Sequence, residues 1–373
     1  MTMADSPLLQ LQAAGQSVWL DNISRELIDS GALQNLIQRG VSGVTSNPTI
    51  FNKAIGGSSD YDQMIQELRG QGKDPDAVAW ELILRDIRDG ADILKPVFDR
   101  TDKDDGFISI EVSPKLADDT GGTVAMAADL HRRAGKENVL IKIPATKAGL
   151  PAIRRTIGAG INVNVTLIFS VERYDEVVDA YISGLEDLHA KGGDLSKVAS
   201  VASFFVSRVD GKVDKLLAAV QGEKAEQAQA LDGKIAIANS KMAYAHWKQL
   251  FSGDRWDKLA AAGAHRQRCL WASTSTKNPN YPDTLYVAEL IGPKTVNTMP
   301  DATIDAFEDH GVVERTLDAD VEEAEAQMAA LPGLGIDMTQ VTYELEREGV
   351  KSFDDSFDEL LATVAKQVAS VAG

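Results

Sequence analysis

The sequence predicts an α/β fold of the (β/α)8 TIM-barrel class, and three observations lead to this prediction. Eight short runs rich in apolar and β-branched residues recur along the chain, as in strands that are buried on both faces. Longer stretches with helical periodicity separate these runs. The length of 373 residues suits one barrel with insertions, and no linker rich in Gly, Ser and Pro divides the chain.

The predicted strands and helices alternate along most of the chain. The strands are predicted at Ser17–Ile23, Gly40–Ser46, Phe107–Ser113, Asn138–Ala145, Ile161–Phe169, Val198–Val206, Arg268–Thr274 and Thr295–Pro300. Helices are predicted between them, for example at Ser24–Arg39, Thr123–Ala134 and Ser170–Ala190. Helical insertions are expected at about 60–101, where Asp74-Pro75 starts the second helix, and at about 213–263. With an acidic helical tail after Pro300, residues 1–373 are expected to form a single domain.

The composition excludes several classes of partner and site. A net charge of −18 disfavours nucleic acids and anionic membrane surfaces as partners. No apolar run approaches the roughly 20 residues of a membrane helix, and residues 1–15 lack the pattern of a signal peptide. The single cysteine, Cys269, cannot form an internal disulfide, so we expect a reducing cytoplasm. The five histidines lack ligand-like spacing, so we expect no metal site. The oligomeric state and the path of the tail stay open.

Polar residues follow nearly every predicted strand, where barrel enzymes carry their active sites. An ordinary structural explanation exists for each of them: Asp21 could cap a helix, Asn47-Pro48 could form a turn, and Asn164 could be a satisfied core amide. Their convergence on one rim nevertheless favours a functional site. The candidates are Asp21, Asn47, Glu111, Lys142, Asn164, Thr166, Ser203, Arg208, Ser273, Ser275 and Lys277.

Lys142 is the most informative candidate because it lies in the apolar run Val139–Pro144. Lysines are seldom buried without a partner, and a purely structural pair with Glu111 is one explanation. Burial also disfavours the charged form of an amine, so such a lysine can attack a ketone and form an iminium. An iminium accepts the electrons of an adjacent C–C bond. Glu111, acting through a water, suits the proton transfers, and Asp21 suits the base for the hydroxyl on the departing carbon.

Four motifs resemble those of the transaldolase family. They are Gly43–Thr49, Ser109–Val112, Ile141–Thr146 and Ile161–Phe169, and the resemblance runs from about Val18 to Pro300. The length and the insertions resemble the longer bacterial branch. The resemblance implies a (β/α)8 barrel and a cofactor-independent transferase of the non-oxidative pentose phosphate pathway. It would move a dihydroxyacetone unit from sedoheptulose 7-phosphate to glyceraldehyde 3-phosphate, giving erythrose 4-phosphate and fructose 6-phosphate.

The resemblance also implies a role for each matching residue. Lys142 matches the lysine that forms the iminium, and Asp21 matches the acid/base for C–C cleavage. Glu111 and Thr166 match the pair that holds the catalytic water. The groups that hold the dihydroxyacetone hydroxyls match Asn47, Asn164 and Ser203, and Arg208 matches a phosphate-binding arginine. The better-known shorter branch has a second phosphate arginine after strand seven, and this chain has none there. Lys277, with Ser273 or Ser275, is expected to replace it, although a lysine lacks the bidentate geometry of an arginine.

Two other functions compete with this interpretation. A fructose-6-phosphate-type aldolase of the same fold would release dihydroxyacetone, but such relatives tend to have Gln where Glu111 stands and Tyr near Phe205. Retention of Glu111 and Phe205 favours transfer. A non-catalytic sugar-phosphate sensor would be expected to lack Lys142 or Asp21, and both are present.

Overall fold

The computed structural model of the chain describes residues 6–370 and shows a closed barrel of eight parallel strands in the order β1 to β8. The strands are β1 (Gln16–Leu20), β2 (Val41–Val44), β3 (Ile108–Glu111), β4 (Val139–Pro144), β5 (Val163–Ile168), β6 (Ser200–Phe205), β7 (Arg268–Ala272) and β8 (Thr295–Met299). Each one overlaps a predicted strand, so the predicted fold class is confirmed. Residues 1–5 and 371–373 of the predicted domain lie outside the described residues.

Helices connect the strands and form the outer layer. They are α1 (Pro7–Ala13), α2 (Arg25–Asp29), α3 (Ala32–Arg39), α4 (Pro48–Gly56), α5 (Asp62–Gly70), α6 (Pro75–Arg100), α7 (Thr120–Ala134), α8 (Gly149–Ile157), α9 (Val171–Ala190), α10 (Ser207–Ala218), α11 (Ala225–Gln229), α12 (Ile235–Leu250), α13 (Asp254–Ala261), α14 (Leu285–Ala288), α15 (Asp301–His310), α16 (Val321–Ala330) and α17 (Met338–Ser370). No helix within residues 6–370 is both long enough and apolar enough to cross a membrane.

Local sequence signals explain several helix boundaries. The Asp74 side chain accepts a hydrogen bond from the backbone N–H of Ala77, and Pro75 occupies the first position of α6, as predicted. The predicted helix Ser24–Arg39 is wrong as a single element, because it is divided into α2 and α3. Gly31 separates them with a φ of 79°, a left-handed conformation that favours glycine and interrupts a helix.

The strands are buried along their whole length, as expected for a barrel whose sheet is covered by helices and filled by side chains. Parallel pairing sets Glu111 of β3 beside Lys142 of β4, and Lys142 beside Asn164 of β5. These three polar residues therefore lie side by side at one level of the barrel.

Helix α17 crosses the end of the barrel where the strands terminate. Near its start, Gly349 lies against Leu167 at the end of β5. Further along, Ser356 accepts a hydrogen bond from Thr49 of α4 at 2.8 Å, and Gln367 donates one to the Ile55 carbonyl at 2.9 Å. The acidic tail therefore folds over the mouth of the barrel.

Ion pairs fix α17 to the rim on both sides. Lys212 of α10 lies 2.7 Å from Glu344, and Lys115, just after β3, lies 2.7 Å from Asp358. Arg173 of α9 lies 3.3 Å from Glu346, and both of these side chains are largely buried. The partial burial of this third pair makes it less sensitive to salt than pairs that are exposed to solvent.

A buried carboxylate–tyrosine cluster joins α10 to the start of α12, to α14 and to the loop that precedes α14. One Asp210 oxygen accepts from the backbone N–H of Ala236 at 2.7 Å, and the other accepts from the Tyr286 hydroxyl at 2.8 Å. One turn further along α10, Asp214 accepts from the Tyr281 hydroxyl at 2.8 Å. Burial raises the pKa of Asp210 to about 7, although the backbone and tyrosine hydrogen bonds oppose this effect.

We predict that Asp210→Asn changes how the stability of the fold depends on pH. Because the pKa of Asp210 is raised in the folded state, the folded chain binds this proton more tightly than the unfolded chain. The wild type should therefore lose stability as pH rises from the ordinary carboxyl range, about 4, to about 7. Asp210→Asn should lack this contribution, so its Tm relative to wild type should rise across that window. The same substitution at the exposed Asp60 is the control, and a Tm difference for Asp210→Asn that stays constant with pH would contradict the assignment.

Candidate active site

The buried Lys142 amine lies at the centre of the candidate site. Its Nζ donates a hydrogen bond to the Ser46 carbonyl at 3.1 Å and lies 3.5 Å from Oε2 of Glu111. Lys142 is 5% exposed and Glu111 7% exposed, so this pair is removed from bulk water. An amine and a carboxyl group this close together can exchange protons directly or through one water.

Glu111 and Thr166 both present buried oxygens that are free to bind a small polar molecule. Burial raises the pKa of Glu111 to about 7, and the neighbouring Lys142 limits the rise. Within residues 6–370, Oγ1 of Thr166 has no hydrogen-bond partner, and Oε2 of Glu111 has no polar partner other than the Lys142 amine, 3.5 Å away. A carboxyl group that titrates near neutral pH can both donate and accept a proton there, which is what a proton shuttle requires.

Asn164 lies in a chain of hydrogen bonds across three strands. Its Nδ2 donates to Oγ of Ser109 on β3 at 3.0 Å, and its Oδ1 accepts from the Ser203 hydroxyl of β6 at 2.7 Å. All three side chains are buried. The structure therefore brings Asn164 and Ser203 together, as predicted, and orients the amide by means of a third residue, Ser109.

Asp21 and Asn47 are the two candidates for which a helix-capping or turn explanation was open. Ser24, and not Asp21, caps α2 by accepting from the backbone N–H of Leu27. Asn47 does cap a helix, because its Oδ1 accepts from the Ile50 N–H at the start of α4. The Asp21 carboxylate does not cap a helix and is thus available for another role. Asn47 caps α4 and directly follows Ser46, whose carbonyl contacts Lys142.

Arg208 lies at the mouth of the barrel and forms no ion pair within the described residues 6–370. Its guanidinium carbon lies 5.2 Å from the centre of the Phe205 ring and 5.9 Å from that of Phe353. Burial lowers the pKa of Arg208, whereas the nearby Asp21 and Glu111 raise it. No carboxylate of residues 6–370 forms an ion pair with this guanidinium, so its donors are free for an anionic ligand.

The loop after β7 is ordered by local hydrogen bonds. Ser273 shares a hydrogen bond of 2.9 Å with Ser207, the residue before Arg208. The exposed Lys277 donates to Oγ of Ser275 at 2.6 Å. Ser273 therefore contacts the residue that precedes Arg208, whereas Lys277 contacts its own loop, and a part for Ser273, Ser275 or Lys277 in phosphate binding stays a prediction.

The sequence matches one family along nearly its whole length. The family described as Transaldolase/Fructose-6-phosphate aldolase matches residues 18–364. The chain belongs to this family.

Curated relatives place the chain on the transaldolase side of the family. It is 53% identical to a transaldolase of Parafrankia sp. (strain EAN1pec), over 98% of this chain and 99% of that protein. It is 50% identical to transaldolases of Saccharopolyspora erythraea and Thermobifida fusca, over 98% of this chain and at least 98% of each relative. The activity is therefore that of a transaldolase, a transferase, and the family predicted from the motifs is confirmed.

Phe353 of α17 lies beside the candidate site of the transaldolase barrel, and the motifs of the family did not reveal it. Its ring centre lies 5.7 Å from Lys142 Nζ and 5.9 Å from the Arg208 guanidinium carbon. A residue more than 200 positions downstream of Lys142 in sequence has no local signal that predicts this contact. Ser109, by contrast, could have been found, because it precedes Glu111 by two residues and so faces the same side of β3.

We predict that Phe353→Ala impairs transaldolase turnover as well as stability. Removal of the ring should destabilise the fold by about 3 kcal/mol or more and should remove the surface that covers Lys142 and Arg208. We expect kcat/KM for fructose 6-phosphate to fall by about tenfold, the scale at which a positioned wall contributes to substrate orientation. Phe353→Leu should retain most of the activity.

The control is Phe251→Ala, because Phe251 is a buried ring that packs on Trp247 and Trp256 away from the mouth. It should lower the Tm and leave the kinetics of the folded protein unchanged. Equal kinetic losses in Phe251→Ala and Phe353→Ala would show that the effect of Phe353 is one of general stability.

Proposed function

We propose that the chain transfers a dihydroxyacetone unit from sedoheptulose 7-phosphate to glyceraldehyde 3-phosphate through a Schiff base on Lys142. The products are erythrose 4-phosphate and fructose 6-phosphate, and the reaction belongs to the non-oxidative pentose phosphate pathway. The observation that carries this proposal is the buried Lys142–Glu111 pair, with atoms 3.5 Å apart, in a mouth that also holds an unpaired arginine. Family membership supports the reaction, and the geometry supports Lys142 as the nucleophile, Glu111 as the proton shuttle and Arg208 as the anion site.

In the first step, the neutral Lys142 amine attacks the ketone carbon of the donor. A proton moves to the carbonyl oxygen, water departs, and an iminium remains. Glu111 transfers these protons through a water that it holds together with Thr166. The free buried oxygens of Glu111 and Thr166 and the near-neutral pKa of Glu111 support this role.

In the second step, Asp21 removes the proton from the hydroxyl on the carbon that will depart. The hydroxyl becomes an aldehyde, the C–C bond breaks, and its electron pair moves into the iminium to give an enamine. The enamine then attacks the acceptor aldehyde, and Asp21 returns the proton to the new hydroxyl. Hydrolysis of the resulting iminium releases the product and restores the amine.

Several polar side chains are proposed to hold the substrate. Asn164 and Ser203, already linked by a hydrogen bond, contact the dihydroxyacetone hydroxyls, and Asn47 does so through its amide nitrogen, since its oxygen caps α4. Arg208 binds the phosphate, and its freedom from ion pairs in the described chain supports this role. Ser273, Ser275 and Lys277 complete the phosphate site in this proposal.

A reducing cytoplasm is part of the same proposal. It is supported by Cys269, which is buried and unpaired, and by sugar-phosphate substrates, which the transaldolase activity implies. Burial raises the pKa of the Cys269 thiol to about 12, so this group is unreactive in the folded protein.

The deciding experiment is borohydride reduction in the presence of fructose 6-phosphate, followed by peptide mass spectrometry. We expect a reduced three-carbon adduct on Lys142, and Lys142→Ala should lose turnover by several orders of magnitude with an unchanged circular dichroism spectrum. Lys241→Ala is the matched control, since Lys241 is also buried, 6% exposed, and donates to the Ala319 carbonyl. This control should still form the adduct on Lys142.

An adduct on a residue other than Lys142 would contradict the assignment. The same samples separate transfer from simple aldol cleavage when erythrose 4-phosphate is added as acceptor. Transfer requires that the acceptor suppress dihydroxyacetone release and consume the adduct. Release that is unaffected by the acceptor would instead indicate the aldolase reaction.

We predict that Arg208→Ala raises KM for phosphorylated donors by about 10- to 100-fold, as expected for the loss of charge-assisted hydrogen bonds. The KM for dihydroxyacetone, which lacks a phosphate, should change little. Steady-state kinetics with both compounds test this, and Arg208→Lys should recover part of the affinity because it retains a point charge. Equal losses for both compounds would mean that Arg208 is structural.

A further inference from the structure

Strand β8 contributes none of the residues predicted from the sequence, yet Thr298 near its end is linked to the proposed acid/base. The Oγ1 atoms of Thr298 and Thr45 lie 2.6 Å apart, and Thr45 Oγ1 lies 2.8 Å from Oδ1 of Asp21. Thr45 is 2% exposed and Thr298 4% exposed. Three side chains from β8 and the ends of β2 and β1 thus form one buried hydrogen-bonded chain.

The direction of the protons in this chain is fixed by chemistry. A carboxylate only accepts hydrogen bonds, so the Thr45 hydroxyl donates its single proton to Asp21. Thr45 then has no proton left for its other neighbour, and Thr298 must donate to it. Two hydroxyls in series are therefore aligned on one oxygen of Asp21, and each polarises the next.

Backbone contacts hold both ends of this chain in place. The Thr298 carbonyl accepts from the Thr274 hydroxyl at the end of β7 at 3.1 Å. The Asp21 N–H donates to the Met299 carbonyl of β8 at 2.8 Å, and the Thr45 N–H donates to the Leu20 carbonyl of β1 at 2.8 Å. Thr298 is consequently a fixed donor and not a mobile surface hydroxyl.

The other oxygen of Asp21 is left for the substrate. Across the described part of the chain, Oδ2 of Asp21 receives no hydrogen bond, whereas Oδ1 is held by Thr45. A carboxylate anchored through one oxygen presents its second oxygen in a defined direction. This is the arrangement that a base needs if it is to remove a proton from a bound hydroxyl.

We propose that Thr298 is a positioning residue for the C–C cleavage step, acting through Thr45 on Asp21. The inference rests on the proposed role of Asp21 and extends it to a strand that the sequence motifs do not reach. Lys142 and Glu111 lie on β4 and β3, outside this chain, so iminium formation does not depend on it. Loss of the Thr298 hydroxyl should therefore slow bond cleavage and spare the step before it.

The test compares Thr298→Val with Thr298→Ser. Valine keeps the branched shape and removes the hydroxyl, whereas serine keeps the hydroxyl. With fructose 6-phosphate as donor, we expect Thr298→Val to lower kcat about tenfold, with little change in KM. A tenfold loss is at the lower end of the losses in activity that follow removal of a hydrogen bond to a site residue. Thr298→Ser should recover most of the activity.

Rapid borohydride quenching shows which step has slowed. Reduction before cleavage leaves a six-carbon sugar-phosphate adduct on Lys142, and reduction after cleavage leaves a three-carbon adduct. In Thr298→Val, the six-carbon adduct should form at the wild-type rate and persist, and the three-carbon adduct should appear about tenfold more slowly, in step with kcat.

The matched control is Thr295→Val at the opposite end of β8, where the Thr295 hydroxyl donates to the Gly292 carbonyl and accepts from Gln16. It should lower the Tm and leave the adduct kinetics unchanged. The proposal would be overturned by wild-type cleavage in Thr298→Val, by equal losses in the Val and Ser variants, or by a parallel slowing of both adducts.

Failure of the proposed function would give a different result. If the wild type formed no adduct on Lys142, the Schiff-base assignment itself would be wrong, and the role of Thr298 would be overturned with it. A normal wild-type adduct combined with normal cleavage in Thr298→Val would overturn only the inference about Thr298.

Discussion

Burial of the Lys142 amine inside an apolar barrel is the constraint on which the rest of the site depends. A buried amine needs polar partners, and in the closed barrel these come from nearby strands and from the residues that follow them. Glu111 on one side and the Ser46 carbonyl beyond it provide these contacts, and the parallel register places Asn164 on the other side. The fold therefore determines which residues can reach the Lys142 nitrogen before any substrate binds.

The net charge of −18 would repel phosphorylated substrates unless local positive charges offset it near the site. Part of the negative charge of helix α17 is neutralised by ion pairs. Glu344, Glu346 and Asp358 are each paired with a cation of the barrel rim. Because these carboxylates are paired with cations, the acidic helix can cross the mouth without adding much negative charge there. Arg208 stays outside these three pairs and lies against the rings of Phe205 and Phe353, which is consistent with its proposed role as the phosphate-binding cation.

Much of the fold and the chemical centre could be predicted from the sequence because they depend on local patterns. Buried strands have apolar, β-branched runs, and Lys142 is conspicuous in one of them. The break at Gly31 was missed because helical periodicity continues across it, and only the backbone angle shows the interruption. Phe353 and Thr298 were missed because their roles arise from contacts between distant parts of the chain, which no short motif encodes.

The hydrogen bonds between β8 and β1 have a consequence for how the protein acquires its activity. These two strands are separated by some 280 residues, and they meet only when the barrel closes. Asp21 is held there by the Met299 carbonyl and, through Thr45, by Thr298, so its position depends on closure of the seam between β8 and β1. Closing such a long loop carries an entropic cost. A chain whose barrel is still open would therefore lack the contacts that orient Asp21, the proposed base.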